Sequence, residues 1–211
     1  EWTPIWNDFK SKIDSKELNI DLLDISIGLS TVLEVKDEDE QKNLRIASRA
    51  STNMMTYFTD EMSKIIDEEL NVTNLNLSEK IENKIDDSKF FQKMESNKSM
   101  KKLGADFDLN TLDWCYKPIV QSNGNFELKF SVESTDKKLG GSVILSSLGL
   151  RYKSYCSNIS RTFLIGPSKE MEKNYDFLLQ VQNKIFSLLK DGCIMKDAYN
   201  KTLEFIKDSR P

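Results

Sequence analysis

The spacing of apolar residues changes at Leu112, and that change limits the chain to a fold that combines helices with a sheet. Upstream, Leu44, Ala47, Ala50, Met54, Phe58, Met62 and Ile65 recur at intervals of three and four, the repeat of one helix face. The spacing predicts a long helix over about residues 37–69. It opens on Asp37-Glu38-Asp39-Glu40, which suits the positive end of the helix dipole. The acidic run is read as a solvated helix start rather than a peptide-binding patch, and Met54-Met55 as core filler rather than sulfur ligands. Downstream, Leu112–Val120, Asn125–Val132, Gly141–Leu150 and Ser154–Ile165 alternate or run apolar, with turns at Asn123-Gly124 and Gly140-Gly141. These are strand signals.

Helices flank the strands. A short one is expected over about Ser78–Asp86 with Ser78 as N-cap, followed by a mobile loop, 87–105, whose lysines lack interleaved aromatics. After the strands, Ser168 caps a helix running to about Lys190, with Met171, Tyr175, Leu178, Ile185 and Leu189 facing inward and Gly192 closing it. A last helix spans about Lys196–Asp208. The order predicts an α+β fold, helices packed on a mostly antiparallel sheet. Residues 1–34, with an amphipathic stretch from Trp6 to Ile13 and an apolar run from Leu22 to Leu33, read as the end of a preceding N-terminal lobe. Residues 35–211 read as the first part of the next domain, and the chain as an excerpt of a longer protein.

Composition removes several chemistries. The 211 residues include no histidine, which excludes Ser-His-Asp and Cys-His catalysis and histidine-based zinc motifs within this chain. A net charge of −4 weighs against a mainly DNA-binding domain, because counterion release needs a basic face. No apolar run is long enough to span a membrane, and the start carries no signal-peptide pattern. Cys115, Cys156 and Cys193 form no CxxC and read as buried or half-buried free thiols. Five Asn-x-Ser/Thr matches, beginning at Asn71, Asn76, Asn97, Asn158 and Asn200, are read as chance in an Asn-rich chain.

The most specific stretch runs from Ser146-Ser147-Leu148-Gly149 through Tyr155 and Asn158 to Arg161-Thr162. It resembles the hairpin signature of the pita-bread superfamily of creatinases, prolidases, aminopeptidases P and methionine aminopeptidases, whose active members read approximately D-x-G, then Y-x-x-D-x-x-R-T. The resemblance implies that Gly149, Tyr155, Arg161 and Thr162 are the retained structural signature. It also implies that Ser147 and Asn158 stand at the positions of two metal-binding aspartates. Two dications held close together need several anionic oxygens, and a hydroxyl and an amide bring no formal charge. The superfamily's substrate-side histidine is also absent near Ser122-Asn123-Gly124-Asn125. The expectation is a non-enzyme with vestigial ligand positions and no cofactor.

Finer wording narrows the family. Arg151-Tyr152-Lys153-Ser154-Tyr155-Cys156-Ser157-Asn158, Asn174-Tyr175-Asp176-Phe177-Leu178-Leu179 and Trp114-Cys115-Tyr116-Lys117-Pro118-Ile119-Val120-Gln121-Ser122-Asn123-Gly124 resemble the large subunits of the FACT histone chaperone. That resemblance implies a nuclear, non-catalytic module of a chaperone that binds core histones and histone tails and reorganises nucleosomes in transcription, replication and repair. It implies pairing with a smaller FACT subunit through regions outside this chain, no membrane, and little direct nucleic-acid binding. Lys129, Ser147 and Asn158 are then the expected lining of an old substrate cleft that receives a peptide. The alternatives are a pseudo-peptidase that binds RNA or ribosomes, and an active metalloaminopeptidase of proline peptides.

Overall fold

The computed structural model describes residues 2–17, 20, 22–96, 100–105, 107–124, 126–129 and 131–209. They divide into two compact units, residues 1–42 and 43–211. In the first unit, α1 (Thr3–Asp14) starts with Pro4 in its first turn, where a missing N–H costs nothing. The second helix, α2 (Ser26–Glu34), is entered through Asp24, whose carboxylate accepts the Ser26 N–H at 2.8 Å. The Ser26 side chain first and this N–H second hold the Asp24 carboxyl below its ordinary range. Neither helix buries a residue.

Helix α3 (Glu38–Asp67) starts with a reciprocal cap: Glu40 N–H donates to Asp37 Oδ1 and Asp37 N–H to Glu40 Oε2, both at 2.8 Å. The predicted stripe becomes the spine of the second unit. Ala47, Ala50, Met54, Phe58, Met62 and Ile65 are all buried, and Leu44 is half-buried. They pack against an antiparallel sheet of β1 (Leu112–Ser122), β2 (Val143–Tyr152), β3 (Tyr155–Cys156) and β4 (Ile159–Leu164). Strand β2 is central, with β1 on one side and β3 then β4 on the other. Its alternation sends Ile144, Ser146 and Leu148 into the core and leaves Leu145 and Ser147 half-exposed on the other face. Full burial of several such side chains, at about 1.5–3 kcal/mol each, is the main driving force of this unit.

Two polar bridges fix the helix to the sheet region. Ser51, buried in α3, accepts the Leu150 N–H at 3.0 Å and shares a 2.6 Å hydrogen bond with the Ser157 hydroxyl. Asn53, equally buried, donates to Lys101 O at 2.8 Å and accepts from Lys101 N–H at 2.7 Å. Both satisfy buried groups that are costly to leave unpaired.

The structure corrects several sequence expectations. Helix α4 (Asn74–Glu82) begins four residues before Ser78, because Thr73 and Asn76 form a capping box. Asn76 stands where Glu or Gln is usual, which hides the signal. Ser78 is instead a buried mid-helix residue that donates to Pro118 O. The expected loop after it contains α5 (Ser88–Ser96), anchored by aromatics. Phe91 is buried, and the chain of ring contacts Tyr57–Phe90–Phe91–Phe107–Tyr152 runs at 5.0–5.9 Å. Asn97, Lys98 and Ser99 of that stretch lie outside the described residues.

No strand forms among the described residues of 125–132. The connection after β1 folds back by side chains and turns: Gln121 and Glu127 exchange hydrogen bonds at 2.9 and 2.7 Å, and Lys137 O and Thr135 O accept the free N–H groups of Asn74 and Leu75 at the start of α4. The expected strand 154–165 is two pieces. Lys153 and Ser154 both have positive φ (47° and 72°), a tight turn that returns only Tyr155–Cys156 to the ladder before the chain crosses over.

Helices α6 (Lys169–Leu188) and α7 (Met195–Ser209) form a pair, with Phe177 and Phe205 stacked at 6.3 Å. Ser168 caps α6 as expected, accepting the Met171 N–H at 3.2 Å. The inner stripe is displaced from the expected one: Met171 and Tyr175 are half-buried, but so are Phe177, Val181 and Leu188, while Leu178, Ile185 and Leu189 are exposed. Among the described residues no helix is long and apolar enough to cross a membrane.

Candidate functional site

The crossover between β3 and β4 builds the site. Leaving Cys156, the chain passes directly over Gly149. A Cβ built there stands 2.3 Å from Ser157 O and 3.2 Å from the Tyr116 ring, so only glycine admits this path. Ser157 N–H and its hydroxyl both donate to Leu150 O, at 2.9 and 3.0 Å. The path delivers Asn158 beside Ser147. Ser160 follows two residues later on β4, opposite Ser147 in the ladder, so the two side chains share a face.

Tyr116 completes the group from β1. The register slips on both sides of it, between Trp114 and Tyr116 and again before Ile119, and such bulges re-aim side chains. Its hydroxyl lies 2.8 Å from Ser147 Oγ and donates to Asn158 Oδ1. Ser147 Oγ stands 3.3 Å from the same Oδ1, and Ser160 Oγ lies 2.9 Å from Ser147 Oγ. Burial pushes the Tyr116 phenol above its ordinary value, against the opposing hydrogen bond from Ser147. At neutral pH the phenol therefore keeps its proton and acts as donor.

The result is a closed, uncharged hydrogen-bond cluster of Tyr116, Ser147, Asn158 and Ser160. Its oxygens are spent on one another and carry no formal negative charge, so this donor set does not fit a pair of divalent ions. Among the described residues no three His, Cys, Asp or Glu side chains stand close enough to hold a metal.

The structure therefore brings two of the three predicted cleft residues together. Ser147 is half-exposed and Asn158 exposed, and they touch. Lys129 stands apart on the β1–β2 connection, its side chain 74% exposed and ion-paired with Glu127 at 3.4 Å. That connection and β1 border an open hollow of about 710 Å³ lined by Asn74, Gln121, Ser122, Glu127, Thr135 and Lys137. Of the signature residues, Gly149 is buried under the crossover and Tyr155 pairs with Tyr152. Thr162 is half-buried opposite Leu145, and Arg161 is exposed, donating to Ser160 O at 2.8 Å. Tyr116 and Ser160 were not singled out from the sequence. Ser160 was legible as the same-face neighbour two residues beyond Asn158, whereas a bulge-directed Tyr116 was not.

Beside the cluster, Asp113 and Arg151 pair on the exposed face, and Arg151 holds the Asp113 carboxyl below its ordinary range. Cys115 and Cys193 are half-buried and Cys156 is exposed, so the expectation of buried or half-buried thiols fails for Cys156. Burial and the neighbouring Cys156 push the Cys115 thiol up to about 11.

Comparison with known proteins supplies a family. The model of metallopeptidase family M24 matches residues 42–210. FACT complex subunit SPT16 of Debaryomyces hansenii is 46% identical over 208 residues, 98% of this chain and 20% of that protein. The chain thus spans about a fifth of the length of the curated relatives it matches. The N-terminal domain of FACT complex subunit SPT16 from Eremothecium gossypii superposes with a TM-score of 0.85 at 40% identity, over 100% of this chain and 47% of that one. An X-Pro aminopeptidase from Thermotoga maritima superposes at 0.62 with 22% identity, over 88% of this chain and 46% of that one, a likeness of fold.

Proposed function

Because this chain belongs to metallopeptidase family M24, has its pita-bread α+β fold and is homologous to the N-terminal domain of FACT complex subunit SPT16, we propose that it is a non-catalytic, peptidase-like module of a histone chaperone. The observation that carries this reading is the neutral Tyr116–Ser147–Asn158–Ser160 cluster on the hairpin where active relatives are expected to carry carboxylates. Ser147 and Asn158 are vestigial ligand positions, and a tyrosine hydroxyl bridges them in place of an ion. Without a charged oxygen set the module has no means to activate a metal-bound water at neutral pH.

In this reading the module binds core histones and histone tails within a nuclear complex that reorganises nucleosomes during transcription, replication and repair. Its smaller FACT partner is engaged through regions outside these residues. Residues 1–34 close an N-terminal lobe, and 35–211 form the first part of the peptidase-like domain. The old substrate cleft, with Ser147 and Asn158 along it, receives an extended peptide. Neutral hydroxyl and amide groups suit backbone hydrogen bonding, and the net charge of −4 favours a basic tail.

Fluorescence-anisotropy titration of histone-tail peptides tests this on the intact protein. Asn158→Arg places a cation and a larger side chain in the cleft and is expected to weaken binding about tenfold or more, roughly 1.4 kcal/mol. Equal binding by variant and wild type removes the cleft from the account.

A further inference from the structure

The crossover that assembles the neutral cluster also assembles a pair of thiols. Cys115 lies in the β1 bulge, between Trp114 opposite Leu150 and Tyr116 opposite Gly149. Cys156 ends β3, opposite Arg151. With β2 between them, β1 and β3 of a regular sheet stand about 9.5 Å apart, twice the strand spacing and too far for a disulfide. The bulge and the crossover bring Cys115 to Ser157, the residue that follows Cys156. Ser157 lies over Gly149, and its carbonyl accepts from the Cys115 thiol at 3.8 Å. The neighbouring Cys156 thiol is close enough to help raise the Cys115 thiol, and it donates to Ser154 O at 3.9 Å. The Arg151 guanidinium is close enough to interact with both sulfurs. Cys156 is exposed and Cys115 half-buried, so one member meets solvent and the other stands behind it.

We infer that Cys115 and Cys156 form a reversible, peroxide-sensitive disulfide that ties β1 to the crossover at the edge of the Tyr116–Asn158 cluster. The exposed Cys156 reacts first. Its thiolate sulfur attacks hydrogen peroxide, the O–O bond breaks, and a sulfenic acid and hydroxide form. The Cys115 sulfur then attacks the sulfenic sulfur, so that an S–S bond forms and the S–O bond breaks. The Cys115 proton leaves with the hydroxyl as water. In total two thiols are oxidised, losing two hydrogens, and one peroxide is reduced to two waters. A thiol such as glutathione returns the pair to its dithiol by exchange. Burial raises the Cys115 thiol, which makes it the resolving partner behind the exposed Cys156 rather than the one first attacked.

The bridge has a local consequence. Cys115 precedes Tyr116 in the chain, and Cys156 lies two residues before Asn158. Closing it holds the phenol donor and the amide acceptor in place, so oxidation and reduction change how freely that wall of the cleft opens. The inference uses only the thiol geometry and stands whether or not the cleft binds histone peptides.

The test is exposure of the intact protein to a small excess of hydrogen peroxide, followed by alkylation of remaining thiols, intact-mass measurement and peptide mapping. The expected result is loss of two hydrogens, recovery of the Cys115 and Cys156 peptides joined to one another, an alkylated Cys193, and full reversal by dithiothreitol. Cys156→Ser, at an exposed position where folding is undisturbed, is expected to leave Cys115 reduced. Recovery of Cys156 as a sulfinic acid with Cys115 still alkylated, or of Cys156 joined only to a second molecule, overturns the inference.

Discussion

Gly149→Ala tests the packing on which the whole site rests. The added Cβ would stand 2.3 Å from Ser157 O, so the crossover must retreat by about 1 Å to reach ordinary van der Waals contact. The clash is with backbone, which has no rotamer to change. Overpacking of this kind costs about 1–3 kcal/mol. The retreat also stretches the two bonds that Ser157 donates to Leu150 O and loosens the 2.6 Å contact with Ser51. Two weakened bonds add about 1 kcal/mol each. The lower entropy of an unfolded alanine offsets about 0.5–1 kcal/mol. The net loss is about 2–4 kcal/mol, which lowers the midpoint of a chain of this size by roughly 5–15 °C. Thermal and urea unfolding followed by circular dichroism read it, and hydrogen exchange at the Ser157 amide locates it. A variant that melts within about 1 °C of wild type, with unchanged Ser157 protection, refutes the proposed path of the crossover.

Three further outcomes follow from individual side chains. Ser146 is 2% exposed, and its hydroxyl has no partner among the described residues. Ser146→Ala is therefore expected to be neutral or to stabilise by about 1 kcal/mol in urea unfolding. Ser51→Ala removes the bridge from α3 to Leu150 and Ser157 and leaves a ladder N–H unpaired, costing about 1–3 kcal/mol in the same assay. Tyr57 is pushed up to about 12, by burial first and by the charge of Glu61 second. The native state then holds the phenolic proton that the unfolded chain releases near its ordinary pKa of about 10, so this contribution is complete below that pH and is lost as pH rises towards 12. Tyr57→Phe is expected to flatten the fall of stability with pH across that window, measured as the difference between the two proteins.

The parts of the fold that were legible rest on local signals: the three-four spacing of α3, the Ser168 cap of α6 and the strand alternation of β2. The parts that were not depend on partners distant in sequence. Phe90 and Phe91 make α5 a helix by packing on Tyr57 and Phe107, a preference invisible beside the surrounding lysines. Glu127 is drawn to Gln121 by side-chain bonds, so the segment that alternates like a strand never joins the ladder. On α6, periodicity fixed a helix but not its rotation, because Phe177 rather than Leu178 meets Phe205. At the site, the resemblance to the pita-bread hairpin implied that Ser147 and Asn158 stand together, and the structure finds them in contact. Tyr116 was missed because a β-bulge sets its direction, and Lys129, expected at the cleft, stands apart because its connection carries it to Glu127.

The central claim is that this hairpin has exchanged a charged metal centre for a neutral hydrogen-bond cluster. Calorimetric titration of the intact protein with manganese, cobalt or zinc, repeated on Ser147→Ala and Asn158→Ala, tests it most directly. The account predicts no tight two-ion binding and no difference among the three proteins. Two ions bound tightly per chain by the wild type, and lost in both variants, would contradict it.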